Sequence, residues 1–246
     1  MKKLLIALVA LLPLGVLAAS GPKIEPSGID WTKQLQDKES LRRGAELFQN
    51  YCAGCHSTQY QRYQRVAEDL DIPVDEMRKL IHTDAKIGEL MENSIETKDA
   101  AKWFGAAPPD LTLVARVRGE DWVYSYLKGF YKDPSRPFGV NNTVFPSVGM
   151  PHVLEGLQGI ATPVIETEVV DGKEVTKVKG VNPAEGGSLS AEEYDQVVRD
   201  LTGFLVYSAE PVKLERENLG KWVLGFLFIF FVIAYLLKKE YWKDVH

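Results

Sequence analysis

Residues 52–56 read Cys-Ala-Gly-Cys-His, and they hold every cysteine of this 246-residue chain. C-x-x-C-H is the attachment sequence of c-type haem. Two thiols add across the haem vinyl groups, and two intervening residues let one turn of chain reach both. The histidine that follows is then held beneath the iron as the proximal ligand. Rival chemistries fit less well. A zinc site needs four ligands, and only His82, His152 and His246 remain to extend it. A thioredoxin-type redox pair expects a βαβ context, which is not apparent here. Two idle thiols seldom sit two apart and directly before a histidine.

The N-terminus points to the compartment in which such haem is attached. Lys2 and Lys3 form a positive start, Leu4 to Leu17 an apolar run, and Ala18-Ala19 a small-residue cleavage site. Residues 1–19 therefore read as a secretory signal peptide, too short for a membrane span and unlike a mitochondrial transit peptide. The mature chain is expected to start near Ala19 or Ser20, outside a bacterial inner membrane, with no cysteine left over for a disulfide. Near the other end, Trp222 to Leu237 carries no charge and is flanked by Lys221 and by Lys238-Lys239. Such a run is about 24 Å long as a helix, slightly short of a ~30 Å hydrocarbon core, and Leu219, Gly220 and the lysine stems extend it. Trp222, Tyr235, Tyr241 and Trp242 stand where interfacial aromatics belong. The domain reading is a signal peptide over 1–19, a periplasmic monohaem domain over 20–212, a transmembrane helix over 219–237 and a cytoplasmic tail over 238–246. Basic residues are similar on both sides of the span, so the signal peptide alone orients it.

Net charge is −5 and falls to −7 once Lys2 and Lys3 leave. That argues against nucleic acid and anionic lipid as partners and is compatible with a basic partner. Acidic residues are dense over 68–99. Between signal and anchor the fold class is mainly α. Leu41, Gly44-Ala45, Leu47-Phe48 and Tyr51-Cys52 recur at helical spacing over 40–51 and lead into the haem peptide. Residues 66–101 read as charged helical segments in a surface excursion, and 119–131 as a short helix with an aromatic inner face. Residues 164–178 read as two strands about Asp171-Gly172, an exposed hairpin pairing Glu166 with Lys177. Ser190 and Glu193 make a capping box. The following helix carries Val197-Val198, Leu201, Phe204-Leu205 and Ser208 on one stripe and stops before Pro211.

A low-spin electron carrier needs a second axial ligand. Met77 and Met91 lie in charged helical segments, where methionine is usually core filling. Met150 lies in Phe-Pro-Ser-Val-Gly-Met-Pro (145–151), a stiff loop suited to presenting a thioether, with His152 as its competitor. Ala-Ala-Pro-Pro-Asp-Leu-Thr (106–112) cannot be regular helix or central strand through its prolines. A free carbonyl of this wall, with Pro109 the candidate, would accept the Nδ1–H bond that orients His56. Arg116 and Arg118 follow as candidate propionate partners or as solvated surface arginines.

Together these segments resemble the cytochrome c1 family, the haem subunits of quinol–cytochrome c reductase (cytochrome bc1) complexes. The resemblance rests on Leu-Arg-Arg-Gly-Ala-Glu-Leu-Phe (41–48), Cys-x-x-Cys-His-Ser (52–57), Pro-Pro-Asp-Leu (108–111) and Gly-Glu-Asp-Trp-Val-Tyr (119–124). It continues through Gly-Met-Pro (149–151), the helix ending in Ala-Glu-Pro (201–211) and the single C-terminal span. It implies a c-type cytochrome domain with insertions, one covalent haem c on Cys52 and Cys55, and His56 and Met150 as iron ligands. It also implies Arg118 as a propionate partner. The implied activity is one-electron transfer in a respiratory chain, from a Rieske iron–sulfur protein to a soluble c-type cytochrome. Quinol oxidation would occur at cytochrome b, within a dimeric complex. Segment 64–105 matches only loosely. No acid–base pair or nucleophile constellation stands out. The alternatives are a membrane-tethered monohaem carrier feeding a terminal oxidase, which would be about half this length, and a haem enzyme or gas sensor with an open distal site.

Overall fold

The computed structural model describes residue 24, residues 26–170 and residues 173–244. The expected signal peptide over 1–19 lies outside the described residues, as do Asp171, Gly172 and the last two residues of the tail. Two aspartates start the helical core. Asp30 accepts from the Thr32 and Lys33 N–H groups at 3.1 Å and opens α1 (Trp31–Gln34). Asp37 accepts from the Ser40 N–H at 3.1 Å and opens α2 (Lys38–Tyr51), which buries Leu41, Ala45 and Phe48. Each cap satisfies amide donors that have no partner within the helix.

After the haem peptide, β1 (Thr58–Arg62) pairs antiparallel with β2 (Leu90–Met91). Between them run α3 (Tyr63–Asp69) and α4 (Val74–Leu80). This stretch is less superficial than its charge suggests. Val66, Leu70, Ile72, Met77 and Met91 all join the main core, while the charged residues face water. The short helices hide apolar positions too few to stand out from the charges between them. Then follow α5 (Thr97–Phe104), α6 (Val114–Arg118) and α7 (Glu120–Lys128). Next, β3 (Phe130–Lys132) pairs with β4 (Val140–Asn142) beneath a second, smaller apolar cluster. Beyond α8 (Glu155–Gln158) and β5 (Gly159–Ile160), the hairpin of β6 (Pro163–Val170) and β7 (Lys173–Val181) sets Glu166 opposite Lys177, with a bulge between Val164 and Ile165. Val164, Ile165 and Val178 are exposed, as its mixed faces imply. A short β8 (Glu185–Gly186) closes back on β5.

The central element is α9 (Ala191–Ala209). Its capping box is in place: Ser190 Oγ accepts from the Glu193 N–H at 3.3 Å, and Glu193 Oε2 accepts from the Ser190 N–H at 2.9 Å. The expected single stripe is too narrow, because every residue from Leu201 to Ala209 is buried. The helix is surrounded in its second half. Phe48 of α2 packs on Phe204 with ring centroids 5.5 Å apart, and α6 and α7 cover other sides. Two polar contacts reach it inside: Gln61 Nε2 donates to the Ser208 carbonyl at 2.7 Å and the Tyr207 hydroxyl to Asp69 at 2.7 Å, while the Thr202 and Ser208 hydroxyls are buried without a hydrogen-bond partner. Arg43 Nε donates to the buried Asp200 carboxylate at 2.6 Å.

The chain turns at Glu210-Pro211 and re-enters helix at once as α10 (Lys213–Tyr241), none of whose residues is buried. Residues 213–218, which lie between the expected haem domain and the expected span, are therefore part of the same helix. Leu214, Glu215, Arg216 and Glu217 are all good helix formers. At 29 residues α10 is about 43 Å long, enough to cross a hydrocarbon core and stand above it.

Candidate haem site

The haem peptide is a tight turn on the end of α2. Phe48 O accepts from the Cys52 N–H at 2.8 Å, and Cys52 O accepts from the N–H groups of Cys55 and His56 at 3.0 and 2.8 Å. Both cysteines are free thiols, Cys52 buried and Cys55 half-buried. Burial, with Cys55 adding to it, pushes the Cys52 thiol up to about 12.

His56 is buried, and its Nδ1 lies 2.7 Å from the Pro109 carbonyl oxygen. A carbonyl can only accept, so Nδ1 carries the proton in that contact and Nε2 keeps its lone pair. Burial lowers the His56 pKa, with the Pro109 bond opposing, which favours the neutral ring a metal requires. Pro109 is brought there by the residues after it. Asp110 accepts from the Gln59 N–H at 2.8 Å and the Thr112 N–H at 2.9 Å, and Ser57 O accepts from the Leu111 N–H at 2.8 Å. The proline loop is thus laced to the strand that follows the haem peptide. On the other side, Asn93 Nδ2 donates to Cys55 O at 2.7 Å and its backbone N–H to Ser57 Oγ at 2.9 Å. A cleft lined by Cys55, Asn93, Pro108 and Asp110 opens between the two braces. The donor set fits a covalent haem: two thiols on one turn and a neutral, oriented imidazole beside them.

Met150 is half-buried against the smaller cluster of Phe130, Val140 and Val148. Its loop is pinned by two asparagines. Asn141 Oδ1 accepts from the Ser147 N–H at 2.8 Å, and Asn142 Oδ1 accepts from the Val144 N–H at 2.9 Å. The competitor His152 is buried, with its ring stacked on Phe130 at 4.7 Å and 5° between planes. Burial brings the His152 pKa down to about 4, only partly offset by hydrogen bonding. Arg118 is exposed, and its guanidinium lies over the Trp122 ring at 5.2 Å. Among the described residues no contact ties it to the Cys52–His56 turn, while Arg116 pairs with Glu210 at 3.2 Å.

Two residues near the site escape a reading by sequence. Asn93 carries no motif and sits in the loosely matching segment. Tyr126 belongs to the aromatic face of α7, and its hydroxyl donates to Met150 Sδ at 3.3 Å. Burial pushes this phenol up to about 12.

With that geometry in view, the model of the Cytochrome C1 family matches residues 30–245. The chain belongs to the cytochrome c1 family. It is 54% identical over its full length to the whole of a cytochrome c1 from Allochromatium vinosum. It is 44% identical over 85% of each chain to a Nitrosomonas europaea protein named ammonia monooxygenase gamma subunit. A cytochrome b/c1 of Bradyrhizobium diazoefficiens is 26% identical over 85% of this chain and 34% of its own length. Cytochrome c1 proteins carry covalently bound haem c and serve as membrane-anchored electron carriers of the bc1 complex, and this chain has the cysteine pair and the apolar helix for both.

Proposed function

We propose that this cytochrome c1 takes single electrons from a Rieske iron–sulfur protein and hands them to a soluble c-type cytochrome. In this reading Cys52 and Cys55 would hold the haem, and His56 and Met150 would supply its iron ligands. Bound haem supplies a one-electron couple, and a methionine ligand raises its potential relative to a second histidine. The observation that carries the proposal is the 2.7 Å contact between His56 Nδ1 and the Pro109 carbonyl, which leaves the Nε2 lone pair available to a metal. Pro109 orients the imidazole, and the asparagine-pinned loop presents the sulfur of Met150. His152 is less suited, since reaching a metal would break its stack on Phe130. No proton has to move in this chemistry, so the residues serve to bind, orient and exclude water. The export signal favours a periplasmic haem domain, with Lys238 to His246 in the cytoplasm. The fused name of the Bradyrhizobium relative favours cytochrome b as the neighbouring subunit, where quinol is oxidised, and the family resemblance favours a dimeric complex.

Haem staining should survive denaturing electrophoresis of the wild type and vanish or weaken in Cys52→Ser. Met150→Leu should keep the haem but let the reduced protein bind carbon monoxide. Purification in mild detergent should bring cytochrome b and a Rieske protein with the chain. Co-purification with a monooxygenase and neither of these would overturn the assignment of partners, and haem lost on acid–acetone extraction would overturn the attachment.

A further inference from the structure

The aromatic face of α7 ends in a hydrogen bond that the cytochrome c1 assignment does not use. Arg118, Trp122, Tyr126 and Phe130 follow one another at four-residue spacing and stack in that order. Trp122 lies flat on Tyr126, with centroids 5.0 Å apart and planes 10° apart. Phe130 meets the Tyr126 ring edge-on at 5.3 Å and carries His152 on its own face. Asn142 Nδ2 donates to the Tyr126 carbonyl at 2.8 Å and fixes the backbone as well. Tyr126 also packs against both apolar clusters, the one that contains Cys52 and the one that Met150 joins. The ring is therefore held from several directions, and its hydroxyl, 3.3 Å from Met150 Sδ, is placed by the fold rather than by chance rotation.

We propose that Tyr126 is a positioning residue for the distal sulfur, its phenol donating a hydrogen bond to Met150 that raises the potential of the site. The inference rests on Met150 being the distal ligand. A thioether sulfur has two lone pairs, and a sulfur bound to iron through one still offers the other as a weak acceptor. A donor on that second pair draws electron density away from the metal. The oxidised state depends on that density more than the reduced state, so the reduced state gains and the potential rises. The same bond restricts the otherwise flexible methionine side chain and keeps the sulfur aimed at one position.

The test is Tyr126→Phe in the full-length membrane protein, alone and combined with Met150→Leu. Phenylalanine keeps the stack and removes only the donor. The expected result is a lower equilibrium potential, with the far-red thioether-to-iron absorption band retained and no carbon monoxide binding. In the Met150→Leu background the same substitution should leave the potential unchanged, because there is no sulfur to donate to. An unshifted potential in Tyr126→Phe, or an equal shift in both backgrounds, would overturn the inference while leaving Met150 as the ligand. If Met150→Leu alone keeps the band and excludes carbon monoxide, the ligand assignment itself fails, whatever Tyr126→Phe does.

Discussion

Single side chains settle the attitude of the haem peptide. Asp110 holds two backbone N–H groups on different segments, Gln59 and Thr112, and so clamps the proline loop against His56. Asp110→Ala should destabilise the fold by about 1–3 kcal/mol, since both donors lose a charged acceptor. Denaturant unfolding measures it, and an unmoved midpoint would show the clamp to be dispensable. Asp195 is a second such centre, accepting from Tyr124, Lys128 and Arg199. Burial pushes its pKa up, but the Lys128 and Tyr124 bonds outweigh burial and leave it lowered. A lowered folded pKa means stability that is present above the unfolded value, about 3.9, and is lost as pH falls through the folded one. Asp195→Asn should therefore lower stability by roughly 1–2 kcal/mol at neutral pH. Its deficit should shrink as pH falls below the unfolded value and on through the lowered folded one. A deficit that stays constant until the acid unfolding of both proteins would mean that packing, not charge, holds this corner.

At the scale of elements, the decisive contact is α2 against α9. Gly44 lies so close to α9 that an added Cβ would sit 2.1 Å from the Asp200 carbonyl oxygen and 2.8 Å from Phe204 Cβ. Backbone cannot yield as a side-chain tip can, so Gly44→Ala should cost about 3 kcal/mol or more through overpacking. Gly203, on α9 itself, is the control. Its added Cβ meets the Gln34 side chain at 3.0 Å and the Leu41 side chain at 3.4 Å, side-chain atoms rather than backbone. Gly203→Ala should change stability by less than about 1 kcal/mol, with helix propensity in its favour. Thermal unfolding of the two variants separates these outcomes. Equal losses would mean that the α2–α9 distance is adjustable. The two halves of α9 have different tasks, a capped, half-exposed start and a fully enclosed end, which explains why its apolar stripe widens along its length.

On the scale of the whole molecule, α10 meets the core near its start, where Leu214 packs against the main cluster. None of its residues is buried, and ion pairs link its start to the haem domain, Lys213 to Glu120 at 3.6 Å and Arg216 to Glu210. Each pair is partly open to solvent, which limits its worth. A chain stopped near Glu210 should thus be soluble and keep its haem absorption, with an unfolding temperature close to that of the detergent-solubilised full chain. Aggregation or haem loss would show that the anchor supports the domain. The acidic stretch also looks different in three dimensions. Asp69, Asp71, Asp75, Glu96 and Asp99 are each paired with a nearby Arg or Lys. These pairs reduce the field available to steer a basic acceptor. Oxidation by a basic cytochrome c should still slow with rising ionic strength, but gently, because screening acts over about 8–10 Å on a partly neutralised surface. A rate that rises with salt would exclude acidic steering.

What this amino-acid sequence determined by itself is what short-range chemistry writes into it. The C-x-x-C-H turn, the Ser190–Glu193 capping box, the Glu166–Lys177 register and the long apolar helix depend on residues close together in the chain or on a regular period. Each was legible because its signal is complete within a few turns. The tertiary structure decided the rest. That the Pro109 carbonyl reaches His56, 53 positions away, depends on Asp110 lacing the proline loop to β1. That Val66, Leu70 and Ile72 join the core from a charged stretch, that α9 is enclosed rather than striped, and that Arg118 lies on Trp122 follow from which surfaces meet. Periodicity shows that a face is apolar but not what covers it. The Tyr126–Met150 bond is the sharpest case, since a helix and a loop 24 positions apart compose it and neither carries its trace alone.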